Sequence, residues 1–188
     1  MDHYLDIRLR TDPEMAQHQI LSALFARLHR ALAESGKWDI GVSFPGHDDN
    51  KPTLGNCLRL HGTASSLHAL MDKAWLRGVG DHVHVGKIDL VPSAARHRQV
   101  MRIQAKSSPA RLRRRAMRRH GLNADAARQR IPDSALECLT LPFITLGSLS
   151  TGQPSFPLFI RHGPMLQEPK AGDFNSYGLS KEATVPWF

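Results

Sequence analysis

The run SSPARLRRRAMRRHGL, residues 107–122, carries the densest chemistry in the chain. Written as a helix at about 100° per residue, Arg111, Arg114, Arg115, Arg118 and Arg119 fall within an arc of about 140°. Leu112 and Ala116 lie outside that arc as a small docking stripe, and His120 sits near the end. Ser108 suits an N-cap, Pro109 the first turn and Gly121 the position just past the last turn. Like charges spaced i, i+4 destabilise an isolated helix, and a polyanion lying alongside removes that cost. A merely solvated face would mix signs, and this one does not. Arginine forks also suit phosphate and guanine, so nucleic acid is the expected partner. Just upstream, Gln99 to Lys106 alternates like a strand, which points Arg102 and Gln104 the same way. Arg can fork onto guanine O6 and N7, and Gln can pair with the N6/N7 edge of adenine. That strand is a base-reading candidate or an ordinary solvated face.

The helix has no interleaved aromatics, and aromatic residues make up only 6% of the chain, with no aromatic pattern for stacking single-stranded bases. A phosphate-lined groove fits it better. An undistorted A-form major groove is too narrow for a helix, so the expected ligand is a structured RNA stem-loop, where the groove opens at the loop end.

RNA brings its own nucleophile, the 2′-hydroxyl. A protein need only deprotonate and align it, then stabilise the developing charge. One histidine and a hydroxyl would suffice, with no metal and no cofactor. His29 stands at the edge of the apolar stripe of the first predicted helix; a lone histidine there also reads as a partly buried structural residue. The segment FITLGSLSTGQ offers Ser148, Ser150 and Thr151, with Gly147 and Gly152 where backbone could approach a ligand. Such clusters also make ordinary hairpin turns. Tyr177 in FNSYGLS is a further hydroxyl. Two other patterns lead elsewhere. His82 and His84 could share a strand face and hold a metal, but no cysteine or carboxylate cluster completes the shell. Arg161-His162-Gly163 resembles the signature of histidine phosphatases, without that family's further arginine or its N-terminal placement.

The elements that must position these groups follow from periodicity. The chain has 188 residues, 41% of them hydrophobic, and a net charge of +8. Residues 96–130 alone carry +11, and the remainder −3, so the positive charge marks a localised polyanion site. Leu5, Ile7 and Leu9 alternate as a strand. Asp12-Pro13 then opens a helix carrying Leu21, Leu24, Phe25, Leu28 and Leu32 and ending at Ser35-Gly36. Ile40, Val42 and Phe44 alternate again, Cys57 to His61 forms a third strand, Ser65 or Ser66 caps a second helix with Leu67, Leu70, Met71 and Trp75, and His82 to Leu90 is a fourth strand. The fold class is therefore α+β: a ferredoxin-like β-α-β-β-α-β domain over residues 1–94 carrying His29, then an RNA-binding region over 95–188 with the arginine-rich helix and short strands. The two cysteines, Cys57 and Cys138, form no disulfide framework, which points to a reducing, cytoplasmic setting. No run approaches the roughly 20 apolar residues of a membrane span, and MDHYLDIRLR lacks the apolar run of a secretory signal.

Across essentially its whole length the sequence resembles the repeat-specific endoribonucleases of type I-F CRISPR systems, members of the RAMP superfamily. The residues carrying the resemblance are MDHYLDIRLR, LHRAL around His29, RQVMRIQAKSSPARLRRRAMRRHGL, RIPDS, PFITLGSLSTGQ, LFIRHGP and YGLSKEATVPWF. The resemblance implies that the protein binds the CRISPR repeat hairpin in a precursor transcript and cuts at the 3′ base of the stem. The implied reaction is metal-independent attack by the 2′-hydroxyl, leaving a 2′,3′-cyclic phosphate and a 5′-hydroxyl. His29 matches the general base, Ser148 the residue orienting the ribose, and Ser150 and Tyr177 supporting positions. Arg102 and Gln104 match base-reading residues at the foot of the stem; Arg114, Arg115, Arg118, Arg119 and His120 match the helix docked in the hairpin's major groove. The family's aromatic that stacks on the terminal base pair follows STGQ more closely than here, where Phe156 is the candidate. The resemblance also implies retention of the mature CRISPR RNA and partnership with other proteins of the type I-F surveillance complex. A stem-loop binder without catalysis is the alternative, and a basic adaptor held by protein contacts alone explains the charge segment poorly.

Overall fold

The computed structural model describes residues 1–104, 109–133, 139–147 and 155–188. They form two compact units, one of residues 1–102 with 141–188 and the other of residues 103–140. The architecture is mixed α and β, with two four-stranded antiparallel sheets and four α-helices among the described residues.

In the larger unit the elements begin β1 (His3–Leu9), α1 (Gln17–Ser35), β2 (Gly41–Ser43), β3 (Cys57–Gly62), α2 (Ala64–Met71) and β4 (Val83–Leu90). The first sheet runs β2-β3-β1-β4. Strand β1 is central: Leu5 faces Leu60 on one side and Ile88 on the other, and its register slips between Leu5 and Ile7 against β4. The second sheet runs β6-β7-β5-β8, from β5 (Arg96–Ile103), β6 (Phe143–Leu146), β7 (Phe156–Leu166) and β8 (Val185–Trp187).

Helix α1 reaches both sheets, packing on β1 and β6, and the Thr145 amide donates to Ser22 Oγ at 3.2 Å. Its predicted stripe of Leu21, Leu24, Phe25, Leu28 and Leu32 is buried, in one core with Ile7, Leu60, Ile144 and Leu158. Each such side chain contributes about 1.5–3 kcal/mol on leaving water, so the face of α1 that carries the core also fixes the rotation at which His29 emerges.

Several boundaries move from where periodicity set them. Helix α1 starts at Gln17, because the Asp12 carboxylate captures the amides of Glu14 (2.8 Å) and Met15 (3.0 Å) and pairs with His82 Nδ1 (2.8 Å), making a turn instead of a helical start. Thr63 caps α2, its Oγ1 accepting from the Ser66 amide at 3.1 Å, and the helix stops at Met71, leaving Trp75 buried in the turns beyond. His82 closes a 3₁₀ turn before β4 and so does not share a strand face with His84. Strand β5 ends at Ile103, so strand alternation does not extend to Gln104.

Candidate active site

Four residues that are remote in sequence meet in the larger unit. His29 lies on α1, Arg102 near the end of β5, Phe156 at the start of β7, and Tyr177 in the turn between β7 and β8. The Tyr177 ring lies flat on the His29 ring, with centroids 4.0 Å apart and planes 12° from parallel. The ring of Phe25, one turn earlier on α1, lies nearly parallel to that of Tyr177 at 6.3 Å. The Arg102 guanidinium sits over the rings of both Tyr177 (5.3 Å) and Phe156 (5.8 Å). Contacts of this kind contribute about 0.5–1.5 kcal/mol for a ring pair and about 0.5–2 kcal/mol for a cation over a ring. All four residues are half-buried, neither sealed in the core nor left in open solvent.

The protonation geometry of His29 follows from one bond. Its Nδ1 lies 2.8 Å from the Ser176 carbonyl oxygen. A carbonyl can only accept, so Nδ1 carries a proton and donates it. In the neutral ring Nε2 then holds the free lone pair, the arrangement of a general base oriented through its other nitrogen.

The turn bearing Ser176 and Tyr177 is itself rigidly specified. Asn175 Oδ1 accepts from the amides of Tyr177 (2.8 Å) and Leu179 (3.3 Å), while the Asn175 amide donates to the Leu179 carbonyl at 3.0 Å. Gly178 has φ +69°, and a Cβ there would run into the Val42 side chain. The Gly178 carbonyl accepts from the Val42 amide at 2.8 Å, tying the turn to β2. Asn175, Ser176 and Gly178 therefore position His29 and Tyr177, and nothing in the sequence alone singles out any of the three. The Asn-Ser-Tyr-Gly run is a turn signal, but no local pattern says that its carbonyl faces a histidine 147 residues away.

Two other histidines are structural. His61 is fully buried, its Nε2 2.8 Å from Ser43 Oγ, and burial pushes its pKa down to about 3. His162, within the Arg-His-Gly run on β7, stacks on His47 at 3.7 Å with both ring nitrogens buried and unpartnered among the described residues; burial likewise takes it to about 3. Arg98 braces the same region, donating through Nε to the Gly163 carbonyl at 2.6 Å and pairing with Asp49. These are packing histidines held neutral by desolvation.

The smaller unit holds α3 (Pro109–His120) and α4 (Ala124–Arg130). Arg111, Arg114, Arg115, Arg118, Arg119 and His120 are exposed, whereas Leu112, Arg113, Ala116 and Met117 are half-buried. Arg113 is tied within its own unit: its Nε donates to the Ile131 carbonyl at 2.8 Å and its Nη2 pairs with Asp133 at 2.7 Å. Asn123 Oδ1 caps α4 by accepting from the Ala126 amide at 2.8 Å. Arg118, Arg119 and His120 occupy the last turn of α3, where the helix dipole favours positive charge. Gln104, also in this unit, is exposed.

Ser148 and Ser150, with Thr151, Gly152, Ser108 and Cys138, lie outside the described residues. Of the expected catalytic set, His29 and Tyr177 come together, and they do so beside two of the expected RNA contacts, Arg102 and Phe156.

The sequence profile of the CRISPR-associated protein family Cas_Csy4 matches residues 4–188. The chain belongs to that family. It is 54% identical over 188 residues, covering the whole of both chains, to the CRISPR-associated endonuclease Cas6/Csy4 of Pseudomonas aeruginosa (strain UCBPP-PA14). With the CRISPR-associated endonuclease Cas6/Csy4 of Escherichia coli (strain UTI89 / UPEC) the identity is 46%, again over all of both chains. By family, then, this is a CRISPR-associated endonuclease, and the His29 cluster is the candidate centre for the cut.

Proposed function

We propose that this Csy4-family protein binds the RNA hairpin of a CRISPR repeat and cuts the precursor transcript at the 3′ base of the stem without a metal ion. The observation that carries the reading is the His29 imidazole, its Nδ1 proton committed to the Ser176 carbonyl and its ring clamped by Tyr177. In the proposed step His29 Nε2 takes the proton of the ribose 2′-hydroxyl as that oxygen bonds to the adjacent phosphorus. The bond from phosphorus to the 5′-oxygen breaks, and the departing oxygen takes a proton, leaving a 2′,3′-cyclic phosphate and a 5′-hydroxyl. Nucleophile, phosphorus and leaving group all belong to the RNA, so the protein supplies only a base, alignment and charge stabilisation.

In this reading Ser148 orients the attacking ribose and Ser150 supports it. Arg102 and Gln104 read bases at the foot of the stem, and Phe156 stacks on the terminal base pair. Arg111, Arg114, Arg115, Arg118, Arg119 and His120 grip the hairpin's major groove. The work divides near residue 94: residues 1–94, a ferredoxin-like arrangement supported by the strand order β2-β3-β1-β4 with helices in both crossovers, supply His29, and residues 95–188 supply the grip. The mature RNA stays bound and carries the protein into the type I-F surveillance complex. No helix among the described residues is long and apolar enough to cross a membrane.

The test is cleavage of repeat RNA in chelator, alongside RNA whose single 2′-hydroxyl before the cut is replaced by hydrogen. Cutting of the first and intact binding without cutting of the second are expected. Binding with no cutting of either would leave a stem-loop binder, and cutting of the deoxy substrate would exclude internal attack.

A further inference from the structure

On the larger unit, the flank of α1 turned about 100–160° away from His29 borders an open cleft of about 330 Å³. Arg27 and Arg30 of α1 line it together with Lys73 and Arg77 of the turns after α2, with a single carboxylate, Glu34, among the lining residues. None of these four cations is in an ion pair within 4.0 Å among the described residues. Trp75, 8% exposed, also lines the cleft. The turn is shaped to admit the cations: Gly78 has φ +74°, and Arg27 Nη2 lies 2.9 Å from where a Cβ on Gly78 would be. A side chain at that position would displace the guanidinium.

A concave site with four cations against one carboxylate is built for an anion rich in acceptor oxygens. We infer that the cleft binds backbone phosphate of the single-stranded RNA flanking the hairpin, a second RNA contact apart from the α3 surface. The inference rests on the proposed hairpin endonuclease activity, which brings RNA to His29. From there the strand need only round α1, a helix about 10–12 Å across with its side chains, to reach the cleft within a few nucleotides. Cations that meet only phosphate carry no base-edge code, so the contact should be indifferent to flank sequence.

The test uses the full chain and a variant with Arg30→Gln, Lys73→Gln and Arg77→Gln, all exposed positions, against repeat RNA made uncleavable by a 2′-deoxy substitution. Three probes are compared: the hairpin alone, and the hairpin with a short oligouridine tail on its 5′ or its 3′ side. Expected are equal affinities of parent and variant for the bare hairpin and, for at least one tailed probe, an affinity lower by about 3- to 10-fold in the variant. Its log affinity should also depend less steeply on log salt, by about 0.7 for each phosphate that the variant no longer neutralises. Equal affinity and equal salt slope for both tailed probes would overturn the inference. Failure of parent and variant alike to bind the bare hairpin would overturn the functional reading, and this inference with it.

Discussion

The His29 cluster and helix α3 differ in how their chemistry is held in place. Around His29 each reactive or cationic group is restrained by another: Nδ1 by the Ser176 carbonyl, the imidazole by Tyr177, and Arg102 by two aromatic rings. On α3 one arginine, Arg113, is tied to Ile131 and Asp133 inside its own unit, while Arg114, Arg115, Arg118 and Arg119 project from the helix surface. Proton transfer demands a fixed lone pair, because small displacements of a catalytic group are costly in rate. Phosphate binding demands charge that can adjust to a curved backbone, and long exposed side chains provide it. One region is organised for geometry, the other for charge.

Substitutions can break that contrast. The largest effect is expected from His29→Ala: cleavage should fall by about 10²–10⁴-fold, the usual contribution of a general base, while hairpin affinity changes little. Near-normal cutting in a single-turnover assay would remove His29 from the chemistry. Next, Arg115→Ala with Arg118→Ala should weaken hairpin binding and lower the slope of log affinity against log salt by about 1 for each phosphate contact, with the rate at saturating RNA preserved. A variant whose slope matches the parent would show those arginines away from phosphate. Tyr177 sharpens the comparison further. Tyr177→Phe keeps the stacked ring and should retain more activity than Tyr177→Ala, which frees the imidazole and should cost about 10-fold. Equal losses in both would assign the effect to the hydroxyl, not to the stack.

A smaller effect concerns stability and not the reaction. His61 and His162 are neutral when folded, with pKa values near 3, and titrate near 6.5 when unfolded. Below pH 6.5 the unfolded chain therefore takes up protons that the folded chain refuses, so stability is complete above that pH and is lost progressively as pH falls toward 3. For His61 the loss should reach about 2 kcal/mol at pH 5. Urea midpoints compared at pH 7 and pH 5 for the parent and for His61→Gln would measure it. If the variant lost as much stability on acidification as the parent does, the pH dependence would have to come from other groups.

The legibility of these regions follows the range of the interactions that make them. Residues Leu21 to Leu32 on α1 and the stripe of Leu5, Ile7 and Leu9 on β1 show their buried faces in the sequence, because burial repeats at the period of the element. The exposed arc of α3 is visible for the same reason. Helix starts are less accessible: Asp12 spends its carboxylate on a local turn and on His82, a residue 70 positions away. Gln104 falls outside the pattern because the strand stops one residue before it. His29 can be singled out by type, but its spacing from Leu28 and Phe25 equally suits a structural residue.

The amino-acid sequence by itself determined the α+β composition, the concentration of arginine in one helix and, through its motifs, kinship with a CRISPR endonuclease family, since these depend on residue type and short-range spacing. Only the tertiary structure decided that Tyr177 lies on His29, that the Ser176 carbonyl selects which imidazole nitrogen is free, and that Arg102 and Phe156 join them. The contact to the Ser176 carbonyl alone spans 147 residues. These contacts exist because α1 packs on both sheets and because β5 pairs with β8 after the turn that carries Tyr177. No local rule of dihedral preference or periodicity encodes such a closure.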